Sequence, residues 1–139
     1  MENTQQSKID FKDSKYATGK RKTSIAKVWL KKGSGNIIVN GKNYDDYFKR
    51  SNHIMQLLRP FEIINQPTNY DVKCNVKGGG LTGQVGAMVH GISKALLQFD
   101  AQLKPTLKKE KLTTRDSRSV ERKKYGHRKA RRSFQFSKR

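Results

Sequence analysis

Residues 24 to 30 follow a strand-like pattern. Ala26, Val28 and Leu30 fall on one face, and Ile25, Lys27 and Trp29 fall on the other. The turn sequence KKGSG follows this segment, and a second apolar run covers residues 37 to 39. Two such runs separated by a short glycine-containing loop are typical of a hairpin. We therefore predict that these two strands pair through a five-residue loop.

Residues 43 to 58 place aromatic and aliphatic side chains at roughly helical spacing, which predicts one or two short helices that end at Pro60. The segments FEIIN and YDVKCNVK then flank a QPTN turn. In the second segment Val72, Cys74 and Val76 alternate with polar residues. That alternation predicts a strand with one buried face.

The strongest helical signal covers residues 81 to 100, where apolar residues recur at three- and four-residue steps and form a stripe suited to packing on a sheet. Gly86 and Gly91 lie inside this segment, and each costs a helix about 1 kcal/mol relative to alanine. We expect the helix backbone to approach a sheet or a ligand closely at these positions.

Charge divides the chain into unequal parts. The net charge is +20 over 139 residues, and residues 101 to 139 contribute 15 basic but only 3 acidic side chains. The length predicts a single domain. We therefore predict a flexible N-terminal extension (residues 1–15), a globular domain (16–112) and an extended basic tail (113–139). A polyanion is the expected partner, and nucleic acid is the natural one.

Other classes of function have weaker support. The tail has no apolar face for a membrane surface, and no run of 18 apolar residues occurs. The first 14 residues resemble neither a signal nor a transit peptide. The single cysteine, Cys74, excludes an internal disulfide and suggests a reducing compartment and a core position. The three histidines show no metal-ligand spacing, and no nucleophile and base stand out, so we predict no enzyme, metal or cofactor.

The glycine-rich segment GGGLTG follows a predicted strand and begins a helix. It satisfies the dinucleotide-binding pattern, but Asp100 ends the helix instead of a second parallel strand, so nucleotide binding is a minor alternative. Free amides at a helix N-terminus favour an anion such as an RNA phosphate, whereas the simplest alternative is a turn that needs positive φ. The candidate residues are Gly78, Gly79, Gly80, Thr82 and Gln84.

Two basic segments complete the candidate site. GKRKTSIAK offers Lys20, Arg21, Lys22 and Thr23 to phosphates, although a basic strand edge can also serve only to block aggregation. The terminal KKYGHRKARRSFQFSKR combines arginines with Tyr125, Phe134 and Phe136, and these side chains suit phosphate binding and stacking on RNA bases. The alternative for the terminal segment is a disordered tail with nonspecific affinity that folds only on binding.

Four segments, GKRKTSIAKVWLKKGSGNIIVNG, KGGGLTGQVGAMVHGISKAL, TRDSRSVERKKYG and the terminal FSKR, occur in this order over residues 16 to 139. Together they resemble the family of the ninth protein of the small ribosomal subunit, in its bacterial or organellar form. The resemblance implies an α+β, two-layer sandwich of a mixed four-stranded sheet with helices on one face, and an uncommon left-handed crossover. It also implies a location on the ribosome, in the bacterial cytoplasm or in an organelle that encodes the protein.

The resemblance further implies partners and residue roles. The partners are the 3′ major domain of the small-subunit ribosomal RNA, neighbouring proteins of the subunit head, and the anticodon stem-loop of the peptidyl-site transfer RNA; neither a membrane nor a homo-oligomer is expected. Lys138 and Arg139 would contact the transfer RNA. The candidate ribosomal RNA contacts in the tail are Arg115, Arg118, Arg122, Lys123, Lys124, Tyr125, Arg128, Lys129, Arg131, Arg132, Ser133, Gln135 and Phe136.

The tail also departs from the family pattern. His127 and Arg128 replace a common aliphatic residue and lysine, and Ser133-Phe134 replaces a common small residue and proline. Loss of the proline removes a restraint on φ just before the terminus. Two alternative functions stay open: a free, nonspecific nucleic-acid chaperone and a nucleotide-dependent enzyme.

Overall fold

A computed structural model describes residues 10–66 and 69–138. It confirms an α+β fold in which a mixed sheet packs against helices, with five strands in place of the four expected. The strands are β1 (Lys15–Arg21), β2 (Ser24–Lys32), β3 (Ile37–Val39), β4 (Lys42–Asn43) and β5 (Tyr70–Lys77). The helices are α1 (Tyr44–Tyr47), α2 (Ser51–Ile63), α3 (Leu81–Phe99) and α4 (Lys104–Lys109), with a 3₁₀ turn at Ala101–Leu103.

The predicted hairpin between β2 and β3 is wrong, because β5 lies between these strands in the sheet order β1-β2-β5-β3-β4. β5 pairs antiparallel with β2 and parallel with β3. The physical cause is Asp71, a buried residue of β5. Its Oδ1 accepts hydrogen bonds from the backbone N–H groups of Ser34, Gly35 and Asn36 at 3.0 to 3.1 Å. These bonds carry the loop past the end of β5, so β3 pairs on its far side.

Strand β1 forms one edge of the sheet and was not predicted as a strand. Side chains of α3 form hydrogen bonds with the backbone of β1. Gln98 donates to the Tyr16 carbonyl at 2.6 Å, and Lys94 donates to the Thr18 carbonyl at 2.9 Å. An edge strand with free N–H and C=O groups invites pairing with other chains. The α3 side chains therefore protect this edge.

Helix α2 continues through Pro60 to Ile63, so the prediction that Pro60 ends it is wrong. Proline removes one helical hydrogen bond, and here its ring is fully buried, which offsets part of that loss. The chain turns out of the helix at Asn65, whose φ is +57°. The N–H groups of Asn65 and Gln66 donate to the carbonyls of Glu62 and Phe61, the arrangement of a Schellman cap.

The predicted helix over residues 81 to 100 is confirmed as α3, which crosses the sheet with almost no space between backbones. A Cβ built on Gly91 would lie 2.7 Å from Val28 Cγ2 and 3.1 Å from the Gly19 nitrogen. A Cβ on Gly86 would lie 2.3 Å from Arg21 Cδ. The predicted close approach is therefore to the sheet, and the fully buried core residues Leu30, Val72, Met88, Ile92 and Leu96 fill the layer around it.

The two ends of the chain differ from this core. Residues 10 to 14 form a turn before β1, and most of the predicted N-terminal extension lies outside the described residues, as does the centre of the QPTN turn. From residue 113 to 138 the described chain has no helix and no paired strand beyond a single bridge between His127 and Ser133.

Candidate nucleic-acid interface

Three segments that are far apart in the sequence meet at one corner of the domain. They are the turn between β1 and β2, the glycine loop before α3, and the start of the tail. Ser24 Oγ donates to the Gly78 carbonyl at 2.9 Å, which joins the turn to the loop. Arg115 Nη2 donates to the Lys22 carbonyl at 3.4 Å, which joins the turn to the tail. We call this corner the basic corner.

The glycine loop needs glycine at two successive positions. Gly78 and Gly79 have φ values of +79° and +60°, in the left-handed region that L side chains rarely adopt. A Cβ on Gly79 would lie 2.2 Å from Ser24 Oγ, and one on Gly78 would lie 2.6 Å from the Thr23 carbonyl oxygen. Both interpretations of this loop, a turn with positive φ and an exposed anion site, are therefore compatible with its geometry.

Helix α3 begins at Leu81 without a side-chain cap, since its N-cap residue is Gly80. Helical geometry leaves the first amides without intrahelical acceptors, and these amides together with the helix dipole favour a negative charge. Gly78, Gly79, Gly80 and Thr82 are exposed. An anion can therefore reach the start of α3.

Gln84 differs from the other loop candidates because it is buried and its amide already has protein partners. Its Nε2 donates to the Gly78 carbonyl at 3.2 Å, and its Oε1 accepts from Tyr47 OH at 2.7 Å. Thr82 Oγ1 lies 3.2 Å from His53 Nε2. These contacts give Gln84 the role of holding the loop in shape, with its side chain turned away from solvent.

Asp116 anchors the start of the tail, although no motif in the sequence marks it as a candidate. Its carboxylate accepts from Arg118 Nη2 at 2.9 Å and from the Arg118 backbone N–H at 3.0 Å, and it lies 3.9 Å from Arg21 Nη2. These hydrogen bonds, with the charges of Arg118 and Arg21, hold the pKa of Asp116 well below its usual range, and the pKa of Arg118 is raised in return. The only signal in the sequence is an acid inside a basic run.

A cleft of about 200 Å³ lies between β1, α2, α3 and the start of the tail. Its lining combines cationic residues with His90, Asp116 and neutral residues. His90 Nδ1 accepts from the Lys20 backbone N–H at 3.3 Å. Burial lowers the pKa of His90, and the nearby charges of Lys94 and Arg115 lower it further. The sequence shows no metal-ligand spacing for His90, and its hydrogen bond to β1 is consistent with a structural role.

The tail beyond residue 120 has local order of its own. Gly126 has φ +74°, and the Arg128 N–H donates to the Arg132 carbonyl at 2.8 Å, which closes a small loop. Glu121 pairs with Lys124 and Arg131, each at 3.1 Å. Among the described residues, the hydrogen bonds and ion pairs of 121 to 138 stay within that segment.

Most tail candidates are free to contact a partner. Tyr125 is 99% exposed and Phe136 85%, so both rings are open for stacking on an RNA base. The Arg128 guanidinium lies 5.5 Å from the centre of the Phe134 ring. Lys138 is exposed, whereas Arg139 lies outside the described residues. The exposed candidates also include Arg122, Lys123, Lys129, Arg131, Arg132, Ser133 and Gln135, and Lys124 is half-buried.

Two kinds of site are absent from the parts of the chain that the structure describes. No group of three or more His, Cys, Asp or Glu side chains there could hold a metal ion. No helix within residues 10–66 and 69–138 is both long and apolar enough to cross a membrane.

The chain also matches a known protein family. The model of a family described as ribosomal protein S9/S16 matches residues 19–139. The matched range includes the β1–β2 turn, the glycine loop, α3 and the whole tail. It therefore covers every candidate residue of the basic corner and of the tail.

Proposed function

The chain belongs to the ribosomal protein S9/S16 family, and on that premise we propose that it is the S9-type protein of the small-subunit head. As a family member it is a small-subunit ribosomal protein that binds ribosomal RNA, and proteins of this family are generally structural and non-enzymatic. In this proposal the RNA contacts come from the basic corner and the tail. The 3′ major domain of the RNA is the segment bound, with other head proteins as neighbours.

The observation that carries the proposal is the convergence at the basic corner. Cationic residues of the β1–β2 turn, exposed amides of the glycine loop and the start of the tail lie together, although 93 residues separate Lys22 from Arg115. Phosphates attract such a group through charge and through directed hydrogen bonds. In this proposal an RNA backbone contacts the basic corner and then follows the basic tail.

The alternative of a nucleotide-dependent enzyme has no support from the fold. A dinucleotide site requires a second parallel strand after the helix. In the described residues, α3 is followed by the 3₁₀ turn, by α4 and then by the tail. The glycine loop is therefore better explained as a phosphate contact for RNA.

The tail tip has a separate role in this proposal. Lys138 and Arg139 contact the anticodon stem-loop of the peptidyl-site transfer RNA, while residues 113 to 137 lie among ribosomal RNA. The exposure of Lys138 and the high positive charge of the tail support this division. The division into residues 1–15, 16–112 and 113–139 belongs to the same proposal. The proposal also includes the compartment, which is a bacterial cytoplasm or an organelle that encodes the chain.

Sedimentation tests the main proposal. We expect the full chain to co-sediment with small ribosomal subunits at moderate salt, and deletion of residues 119–139 to flatten the slope of log K against log salt for RNA. Each phosphate that the shortened chain no longer binds should reduce that slope by about 0.7 to 0.9. Binding to any RNA with equal affinity, without co-sedimentation, would instead support a free nucleic-acid chaperone.

Removal of Lys138 and Arg139 alone tests the role of the tip. Subunits that contain this variant should assemble normally and bind peptidyl-site transfer RNA more weakly than wild-type subunits. Loss of assembly would show that the tip lies in a different environment from the one proposed.

A further inference from the structure

The face of the sheet opposite the helices carries side chains that neither the core nor the basic corner uses. It contains two aromatic residues on adjacent strands, three exposed lysines and exposed or half-exposed neutral residues. We define this open face by Tyr16, Thr18, Ile25, Lys27, Trp29, Lys73, Asn75 and Lys77. Alternation along the strands places all eight on one side.

Strand register places the aromatic and cationic residues next to one another. Tyr16 is the cross-strand partner of Trp29, and Trp29 is the partner of Lys73. The Tyr16 and Trp29 ring centres lie 5.3 Å apart at an interplanar angle of 49°, and Lys73 Nζ lies 5.8 Å from the Trp29 ring centre. Tyr16 is 44% exposed although it is a large apolar ring. Trp29 is half-buried, so the pair forms a platform that is partly open to solvent.

The charge of the open face is entirely positive. Within residues 10–66 and 69–138, none of Lys27, Lys73 and Lys77 lies within ion-pair distance of a carboxylate. Asp71 lies beyond Lys73 on the same strand, but it is buried and three backbone N–H groups already occupy its Oδ1. These lysines therefore have free charge for an anionic partner.

We propose that the open face binds an unpaired segment of RNA, with bases on the Tyr16–Trp29 platform and phosphates at the lysines. The proposal rests on the proposed function, since RNA is the partner there, but it concerns a different surface. Bases in a duplex are already stacked, so aromatic platforms on sheets accept unpaired bases. Protein interfaces are depleted of lysine, whereas this face alternates lysine with aromatic rings, which favours RNA over an acidic protein.

Fluorescence tests this proposal directly, because Trp29 is the only tryptophan of the chain. The full chain is titrated with end-labelled oligouridine of about a dozen nucleotides, long enough for a sheet platform. Label anisotropy reports total binding, which includes the tail, and Trp29 emission reports the open face alone. We expect unpaired RNA to quench Trp29 and a duplex of equal length to quench it much less.

Variants make the test specific to the face. Tyr16→Ala should weaken binding detected by Trp29 at least about fivefold, the loss expected for one stacked base. Lys27→Glu combined with Lys73→Glu should weaken it further. Lys42→Glu combined with Lys49→Glu is the matched control, since both lysines are exposed, lie outside the open face and change the net charge equally. Circular dichroism verifies that each variant is folded.

Three outcomes would overturn the proposal. Trp29 emission stays unchanged while anisotropy shows RNA binding; the matched control weakens the quenching as much as the open-face variant; or polyglutamate quenches Trp29 as strongly as RNA, which would indicate an acidic protein partner. The first outcome would still agree with RNA binding by the tail, because anisotropy would detect that binding. Failure of the proposed function would appear separately, as absence of co-sedimentation with small subunits.

Discussion

Arg21 and Asp116 lie 3.9 Å apart, Nη2 to Oδ2, across the junction between the first hairpin turn and the tail. Asp116 also holds Arg118, so one carboxylate joins a turn of the sheet to the first residues of the tail. We infer that this carboxylate sets the direction in which the tail leaves the domain.

Asp116→Asn should therefore loosen the start of the tail. The neutral amide keeps the size of the side chain but loses attraction to both guanidinium groups, so amide hydrogen exchange of residues 114 to 120 should accelerate. The melting temperature should hardly change, because exposed ion pairs contribute little to folding. Glu110→Gln is the matched control, as it breaks the exposed Arg59–Glu110 pair of 2.7 Å. Equal amide hydrogen exchange of residues 114 to 120 in the two variants would contradict the anchoring role of Asp116.

Gly19→Ala should destabilise the domain strongly. A Cβ at this position would lie 1.8 Å from the Ala87 carbonyl oxygen and 2.3 Å from the Gly91 nitrogen, and neither backbone atom can move without displacing α3. We expect a loss of about 3 kcal/mol in the free energy of unfolding, the upper part of the range for overpacking. Denaturant unfolding gives the value. Gly80→Ala is the control, because its Cβ would meet nothing within 4 Å. The free energy of unfolding of this variant should hardly change.

Asp71→Ala tests the origin of the strand order. Removal of the carboxylate leaves the backbone N–H groups of Ser34, Gly35 and Asn36 without their acceptor, and removal of a hydrogen bond to a charged group costs about 1.5 to 3 kcal/mol. We expect a destabilisation of roughly 3 kcal/mol in urea unfolding. Asp45→Ala removes an exposed acid and should change stability far less. Similar losses in the two variants would show that the loop does not depend on Asp71.

His90 should make stability depend on pH. Its folded pKa is lowered, so the unfolded state binds more protons near the ordinary value of 6.5. The contribution of His90 is therefore fully present above pH 6.5 and is lost as the pH falls through the folded pKa. The nearby Lys94 and Arg115 carry like charge and oppose protonation.

The free energy of unfolding is measured at several pH values for the wild type and for His90→Gln, both without RNA. The free energy of unfolding should fall more steeply for the wild type than for the variant between pH 7.5 and 5, by up to about 1.4 kcal/mol per pH unit for one proton. Parallel curves would mean that His90 binds protons equally in both states.

Much of the fold could be predicted from local pattern. Alternation identified β2 and β5, and the apolar stripe identified α3 almost to the residue, because these signals depend on neighbours within a few positions. The glycines of α3 also indicated close packing before the structure showed it. The positive charge and the aromatic residues of the tail are likewise local properties of the chain.

The wrong predictions share a physical cause. Pairing of β2 with β3 was inferred from a short loop, but Asp71, 35 residues after Asn36, supplies the bonds that place β5 between them. Pro60 was expected to end α2, but burial of its ring allows the helix to reach Ile63. In both cases a distant or tertiary contact outweighed a local preference.

The sequence by itself determined β2, β5, α3 and the position of the charge, because propensity, periodicity and composition act over short distances along the chain. Only the tertiary structure decided the strand order, the contact of Gly19 with Gly91, the convergence of the basic corner and the pairing of Tyr16 with Trp29. These features depend on bonds and packing between residues far apart in sequence. No local pattern specifies which distant partner each residue will contact.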